Sequence, residues 1–154
     1  MIGKLKGLIL IILGLAVGAY LFSDTQPRSV LRITECGDKC LTQNELVGLF
    51  ASVGMQRFGN FIPDIQMETD KTIVIRHPRP QYPMHYVVVP KKDIKNIGQL
   101  SEGDQEYLVD AWAVINAFVQ EKEITSYRII TNGPGYQSVS YLHFHIIGKS
   151  DIDE

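Results

Sequence analysis

The 154-residue sequence lacks an excess of charge of either sign. Fifteen lysines and arginines stand against 17 aspartates and glutamates, which leaves a formal net charge of −2. A nucleic acid backbone is bound through a surplus of basic side chains, so this balance gives a polyanion no attraction to the whole protein. We therefore expect no nucleic acid polymer among the partners, whereas a small phosphorylated ligand is compatible with the composition.

Internal repeats and low-complexity stretches are also absent, and the chain is short for two typical domains. A chain of this size is expected to form one hydrophobic core with short appendages. We predict three parts: an N-terminal membrane anchor or signal segment over residues 1–23, a tether over residues 24–41, and one domain over residues 42–154.

Cysteine is scarce, because Cys36 and Cys40 are the two in the chain. Both lie in the tether, in the pattern CxxxC. Three states are open for this pair: a disulfide that closes a short loop outside the cytoplasm, two free thiols, or two ligands of a metal ion whose other ligands come from elsewhere.

Charged side chains are missing from residues 7–22, where Tyr20 is the one polar side chain. Lys4 and Lys6 precede this run, and a helix over the run and its flanks approaches the hydrocarbon thickness of a bilayer, about 30 Å. A cleaved signal peptide is the competing interpretation, with small residues over 17–19 at a processing site. We expect a retained single-pass anchor, with the basic end inside and the domain outside the cytoplasm.

Beyond the tether, helix and strand patterns predict an α+β domain. Thr42 and Glu45 form a capping box before an amphipathic helix that Gly54 is placed to end. Hairpin-like connections, with a helix between two pairs of strands, favour an antiparallel sheet. The predicted strands cover residues 71–76, 85–90, 127–131 and 137–147, and a long helix follows a cap at 101–104 and ends near Lys122.

The last predicted strand carries two of the four histidines, His143 and His145. Alternate side chains of an extended chain share a face, so both imidazoles would lie on one side. Imidazoles at this spacing can relay protons, ligate a metal or attack phosphorus. The same alternation predicts Gln137, Val139 and Tyr141 on the histidine side and Leu142, Phe144 and Ile146 on the core side.

A set of motifs follows in a fixed order over about residues 70–148. They are Pro83-Met-His85, Tyr-Val-Val-Val-Pro-Lys-Lys, the long helix, Asn132-Gly-Pro-Gly135, Gln137-Ser-Val and His143-Phe-His145-Ile-Ile-Gly148. This ordered set resembles the histidine-triad (HIT) family of nucleotide hydrolases and transferases. The resemblance implies a HIT-like antiparallel sheet of about five strands with a long helix, preceded here by one N-terminal transmembrane helix, and it makes a homodimer plausible.

The family signature has three alternating histidines, and the resemblance places Tyr141 at the first, His143 at the nucleophilic middle position and His145 at the third. It implies that His143 attacks the α-phosphorus of a nucleotide conjugate, forms a phosphohistidine, and is oriented by a backbone carbonyl near position 141. His145 is expected to be catalytic as well. At an ordinary histidine pKa of about 6.5, it would be partly cationic near neutral pH.

The resemblance also assigns supporting residues. Asn132, Gln137 and Ser138 would contact ribose or phosphate, and His85 would support the site by hydrogen bonding. His77 stands where relatives often carry an acidic residue that holds ribose hydroxyls. In zinc-bearing relatives the metal lies on two cysteines, a histidine matching His85 and the first triad histidine. Because that last position is Tyr141 here and the cysteine spacing differs, we expect no structural zinc and no other cofactor.

Two functions follow as expectations. The first is a membrane-tethered HIT-like nucleotide phosphohydrolase or nucleotidyl transferase. The alternative is a catalytically silent HIT-fold accessory subunit of a membrane assembly, suggested by Tyr141 and His77. The expected partners are a nucleotide or nucleotide conjugate, the membrane, and either a second copy of the chain or another membrane protein.

Overall fold

The structure is a computed structural model that describes residues 2–28, 42–59 and 62–149. The predictions for Cys36 and Cys40 fall outside these residues. The elements within them confirm the α+β prediction with five strands and a long helix. They are α1 (Ile2–Phe22), α2 (Gln43–Arg57), β1 (Ile65–Glu68), β2 (Thr72–Arg76), β3 (Met84–Pro90), α3 (Gln105–Glu121), β4 (Tyr127–Ile130) and β5 (Phe144–Gly148).

The five strands form one antiparallel sheet in the order β1-β2-β3-β5-β4. Strands β2 and β3 read as continuous apolar runs because their residues are largely buried on both faces. The amphipathic helix α3 covers one face, and its buried side chains pack against alternate residues of the central strands. This core contains Val74, Val88, Phe144 and Ile146 from the strands and Ala111, Val114, Ile115, Phe118 and Val119 from α3.

The opposite face of the sheet carries a smaller apolar cluster and is only partly covered. Ile73, Val87, Val89 and Tyr141 are its buried members, and Ala51 and Met55 of α2 pack against them. Helix α2 lies over part of this face, with Thr42 capping its first turn by accepting a hydrogen bond from the backbone of Glu45. The remainder of the face is open and contains the histidines.

Three features of the fold differ from the sequence predictions by more than a single residue. Helix α2 continues past Gly54 to Arg57, and the backbone N–H of Phe58 still donates to the carbonyl of Gly54. Strand β1 was not expected, since it is a four-residue edge strand just after Pro63. The last strand begins at Phe144 instead of Gln137.

The late start of β5 has a hydrogen-bonding cause. The N–H of Ser140 donates to Asn44 at the start of α2, at 3.1 Å, and that of Leu142 donates to Ile94 at 2.5 Å. These groups are therefore unavailable to a neighbouring strand. The predicted alternation survives even so, because Leu142, Phe144 and Ile146 lie in the α3 core while the histidines lie on the other face.

Helix α1 is apolar on all sides and exposed along its length. Its span Lys4–Phe22 has a mean hydropathy of 2.2 and is long enough to cross a membrane or to act as a signal sequence. It ends beside α2, where Arg57 donates to the carbonyl of Tyr20 at 3.0 Å and pairs with Asp24. The residues that follow α1 thus lie against the domain.

Candidate active site

All four histidines of the chain meet on the open face of the sheet. His145 lies on β5 opposite Val87 of β3, and His85 is two residues earlier on β3, so both side chains share a face. His77 follows β2 and stacks on His85 with ring centroids 4.0 Å apart. The ring of His143 meets that of His145 edge-on at 4.8 Å.

A backbone carbonyl fixes the tautomer of His143. Its Nδ1 lies 2.6 Å from the carbonyl oxygen of Tyr141, which can only accept, so Nδ1 carries the proton. Nε2 therefore holds a lone pair. The side-chain amide of Gln137 donates to the same carbonyl at 3.4 Å, and the hydroxyl of Thr131 donates to the carbonyl of His143 at 2.9 Å. The nucleophile candidate is held through its ring and through its own backbone.

A second chain of hydrogen bonds gives His145 the opposite tautomer. The backbone N–H of Gln81 donates to Nδ1 of His85 at 3.3 Å, so neutral His85 carries its proton on Nε2. That group lies 2.9 Å from Nδ1 of His145 and donates to it. Neutral His145 then carries its proton on Nε2. His143 and His145 together therefore offer one nitrogen lone pair, on Nε2 of His143, and one N–H donor, on Nε2 of His145.

The site keeps these imidazoles neutral. Burial lowers the pKa of His143, and His77 lowers it further, against an opposing contribution from the hydrogen bond to Tyr141. Burial, together with His143, His85 and His77, lowers the pKa of His145 to about 4. The expectation of a partly cationic His145 near neutral pH is therefore wrong, because burial and the neighbouring imidazoles disfavour a positive charge on this ring.

His77, His143 and His145 form the polar end of a cavity of about 380 Å³ between α2 and the sheet. Ser138 lines it beside His143, His145 and His77, so one predicted phosphate-contacting residue does lie at this end. The other lining side chains are apolar. They are Ala51, Gly54 and Met55 of α2, Ile62, Ile75 and Pro78, Val87 and Val89 of β3, Val139, and the ring of Tyr141.

Gln137 does not share the histidine face as predicted. It is buried, and its side-chain nitrogen donates to the carbonyls of Lys95 and Tyr141 at 3.1 and 3.4 Å. The extended strand assumed for this segment begins later, so alternation does not extend back to position 137. Asn132 is half-buried and follows Thr131, whose hydroxyl bonds to His143.

The side chain of Tyr141 is buried, and its backbone serves the site. Its hydroxyl donates to the carbonyl of Pro90 at 2.9 Å, and burial raises the pKa of the phenol. The ring forms part of the cavity floor. The carbonyl of the same residue orients His143. That role requires no particular side chain at position 141.

Arg28 is a supporting residue that the sequence did not reveal. It is fully buried, forms an ion pair with buried Asp93, and donates to the carbonyl of Ser140, the residue before Tyr141. Gly48 of α2 touches the same loop so closely that a Cβ there would lie 2.5 Å from the Ser140 oxygen. The segment after α1 is thereby joined to the loop that orients His143. The residues around Arg28 in the sequence form a polar tether, and nothing in their pattern predicts such a contact.

Three of the imidazoles also form a possible metal-ligand set. Single ring nitrogens of His77, His85 and His145 all lie within 4.8 Å of one another. Neutral imidazole nitrogens suit zinc and similar ions. However, the rings of His77 and His85 are stacked at 15° with centroids 4.0 Å apart, so their lone pairs lie in two nearly parallel planes and one ring must turn to bind a shared ion. The expected absence of a structural metal stays a prediction.

Comparison with known proteins defines the class to which this fold and site belong. The HIT domain family model matches residues 63–152, more than half of the chain. The chain therefore belongs to the HIT family.

Individual relatives agree with this assignment. An "uncharacterized HIT-like protein" of Chlamydia muridarum is 33% identical over 88 residues, which cover 55% of this chain and 70% of that protein. Another HIT-like protein, of Synechococcus elongatus, is 34% identical over 92 residues, covering 58% and 81% respectively. The solved structure of a HIT family hydrolase from Clostridium thermocellum has a TM-score of 0.57 and 28% identity, and the match covers 66% of this chain and 93% of that chain.

Proposed function

We propose that the chain is a membrane-anchored HIT-type phosphohydrolase or nucleotidyl transferase that acts at the α-phosphorus of a nucleotide or nucleotide conjugate. One observation carries the proposal: Nδ1 of His143 is held by the Tyr141 carbonyl at 2.6 Å, so the Nε2 lone pair is free. A neutral imidazole locked in one tautomer is the form that attack on phosphorus requires. The hydrolase named among the solved relatives supports the same chemistry.

The reaction proceeds by two displacements. Nε2 of His143 forms a bond to phosphorus, and the leaving group departs with the electron pair of its bond and takes a proton from water. A second water then attacks phosphorus and gives its proton to the hydroxide left by the first step. The P–N bond returns its electron pair to Nε2, and the phosphate product leaves. In a transferase, another nucleophile replaces this water. The Tyr141 carbonyl stabilises the imidazolium that forms between the two steps.

His145 acts as a hydrogen-bond donor to a phosphate oxygen. Its Nε2–H is aligned by the chain from Gln81 through His85, and this alignment keeps it neutral. A fixed donor aimed at developing charge needs no reorganisation during the reaction. Ser138 donates from the same end of the cavity, and Asn132 is assigned to the ribose and phosphate. Gln137 works indirectly, through the carbonyl that orients His143.

Tyr141 replaces the first histidine of the triad without removing the feature on which His143 depends, which is the backbone carbonyl. The division of the chain into an anchor over 1–23, a tether over 24–41 and a domain over 42–154 is part of the same proposal. The first residues of the tether dock on the domain, because the N–H of Gln26 donates to Asp93 at 2.7 Å and Arg28 is buried. The anchor holds the basic end inside and the domain outside the cytoplasm.

The test uses the full chain in mild detergent with a nucleoside phosphoramidate and a dinucleoside polyphosphate. His143→Asn removes the nucleophile and should lower kcat by at least about a thousandfold, whereas exposed Val109→Gln should leave kcat unchanged. Turnover that survives His143→Asn, or no turnover by the unaltered chain, would sink the proposal.

A silent accessory subunit is the second candidate, and one observation favours it. Trp112 is exposed on α3, and Tyr127 of β4 is exposed on the same side of the sheet, so a partner with an apolar surface could cover them. A second copy of the chain would form a homodimer there. Analytical ultracentrifugation in detergent distinguishes a homodimer or a complex with another protein from a monomer. His143-dependent turnover of ordinary efficiency would count against a catalytically silent subunit.

A further inference from the structure

The walls of the cavity lack polar groups except at the histidine end. Among the described residues that line it there is no carboxylate, side-chain amide, lysine or arginine, and the Tyr141 hydroxyl is already bonded to Pro90. Sugar hydroxyls and base edges that enter a protein interior need hydrogen-bond partners. A hydrocarbon chain needs none. The walls suit an apolar body with a phosphate at its end.

The apolar wall continues outward along α2. Val47 and Phe50 are exposed on the same side of the helix as the cavity-lining Ala51 and Gly54, and Phe58 extends this side beyond the helix end. We call Val47, Phe50 and Phe58 the α2 ridge. Phe50 alone is 69% exposed. An exposed apolar strip that is continuous with a cavity is typical of a surface that meets a membrane.

The end of α1 fixes where this ridge lies. Arg57, at the end of α2, donates to the Tyr20 carbonyl at 3.0 Å and to Ser23 at 2.7 Å, and its guanidinium lies 4.6 Å from the centre of the Tyr20 ring. Tyrosine and arginine side chains commonly mark the membrane–water interface. Met55 of the cavity wall is two residues from Arg57, about 3 Å along the helix axis. If α1 spans the bilayer, the cavity opens next to its surface.

We propose that the cavity binds the hydrocarbon chain of a membrane-borne substrate, an amphiphilic phosphodiester or phosphoanhydride that enters from the bilayer along the α2 ridge. The phosphorus that bears the chain lies at Nε2 of His143, and the polar leaving group, which can be a nucleotide, lies outside the cavity. This inference rests on the proposed function for the phosphohistidine chemistry of His143. It differs in the phosphorus attacked, which here bears the hydrocarbon chain while a nucleotide is the leaving group. Hydrolysis gives the chain-bearing phosphate monoester and the protonated leaving group, with one water consumed.

Binding tests the occupant of the cavity independently of turnover. The full chain in lipid nanodiscs is titrated calorimetrically with methyl phosphate, n-hexyl phosphate and adenosine 5′-monophosphate, with empty nanodiscs as the blank. Each buried methylene strengthens binding by about fourfold, so hexyl phosphate should bind at least about tenfold tighter than methyl phosphate. It should also bind more tightly than the nucleotide. Equal Kd values for the two alkyl phosphates, or a preference for the nucleotide, would overturn the inference.

Matched variants test whether the hydrocarbon chain binds in this cavity. Met55→Gln places an amide in the cavity wall and should lower the hexyl-to-methyl affinity ratio by at least about threefold. Val109→Gln is the control. This apolar side chain on α3 is 69% exposed, as Phe50 is, and it lies away from the cavity. An unchanged ratio in Met55→Gln, or an equal loss in the control, would contradict the assignment of the tail to this cavity.

Turnover then separates this inference from the proposed function. Hexadecyl p-nitrophenyl phosphate is supplied in the same bilayer as the protein, and Phe50→Gln should slow its hydrolysis at least about fivefold relative to Val109→Gln. An equal rate in the two variants would refute entry along the α2 ridge. If hexyl phosphate binds as expected but neither this ester nor the nucleoside phosphoramidate is hydrolysed in a His143-dependent manner, the proposed function fails while the ligand assignment stands.

Discussion

The buried ion pair between Arg28 and Asp93 makes the protein's stability depend on the segment that follows α1. Arg28 is 0% exposed and Asp93 is 2% exposed. Arg28→Ala leaves the Asp93 carboxylate buried, with the N–H of Gln26 as its remaining partner among the described residues, and it removes a donor from the carbonyls of Ser140 and Gly48. Removing one member of a buried pair costs about 3–5 kcal/mol, a large part of the roughly 5–15 kcal/mol that stabilises a typical domain.

The chain contains its own control, a second arginine–aspartate pair at the surface. Asp24 in the Arg57–Asp24 pair is 59% exposed, and exposed pairs contribute about 0–1 kcal/mol. Urea unfolding in detergent, followed by the fluorescence of the single Trp112, compares Arg28→Ala with Arg57→Ala. Equal losses of unfolding free energy would refute the reasoning.

A double variant tests the cause of the loss. Arg28→Met combined with Asp93→Leu removes both charges, so it should recover at least about half of the free energy lost in Arg28→Ala. A double variant as unstable as Arg28→Ala would show that an uncompensated charge is not the cause. A soluble fragment that begins at Ser29 lacks the pair altogether, so a fragment that begins at Ser23 should be the more stable of the two.

Four further outcomes are expected. Tyr141→Phe should cost about 1 kcal/mol in thermal unfolding through the lost bond to Pro90, yet keep kcat within about threefold, since the carbonyl of the residue orients His143. Gln137→Leu should lower kcat several-fold while its effect on KM stays small, because it acts on the orientation of His143 and not on a ligand. The unfolding free energy should be at its full value above about pH 6.5 and fall as the pH drops toward 4, because the unfolded chain protonates His143 and His145 at higher pH than the folded chain does. Urea unfolding at several pH values measures this dependence, and a rise in the unfolding free energy on acidification would contradict the pKa shifts. Esters with more basic leaving groups should react markedly more slowly, because neutral His145 donates a hydrogen bond and no proton; a flat dependence of the rate on leaving-group pKa would contradict this role.

Local patterns were sufficient for the elements that position the core. The long helix and the apolar runs of β2 and β3 appear where periodicity and β-branched residues predict them, and Leu142, Phe144 and Ile146 face α3 as alternation requires. Strand β1 was missed because a short edge strand after Pro63 has a weak local signal. What local patterns predict well is the side of the sheet on which a residue lies.

Contacts between distant parts of the chain could not be predicted in this way. Gln137 was misplaced because its strand gives up its N–H groups to α2 and to the loop after β3. His77 stacks on His85 of the neighbouring strand, a contact that the spacing of the two residues does not predict. Arg28 reaches Ser140 across 112 positions of sequence, and no composition or spacing near Arg28 encodes that distance. The hydrogen bond between His85 and His145, which sets the tautomer of His145, likewise joins residues 60 positions apart.

The most direct measurement of the central claim is the mass of the enzyme during turnover. The full chain is mixed with hexyl p-nitrophenyl phosphate and, in parallel, with a nucleoside phosphoramidate, quenched at alkaline pH within the first turnover, and digested for mass spectrometry. The account predicts a phosphoryl adduct on His143 that is absent from His143→Asn and retained in His77→Asn. Turnover without any adduct, or an adduct on another residue, would contradict it.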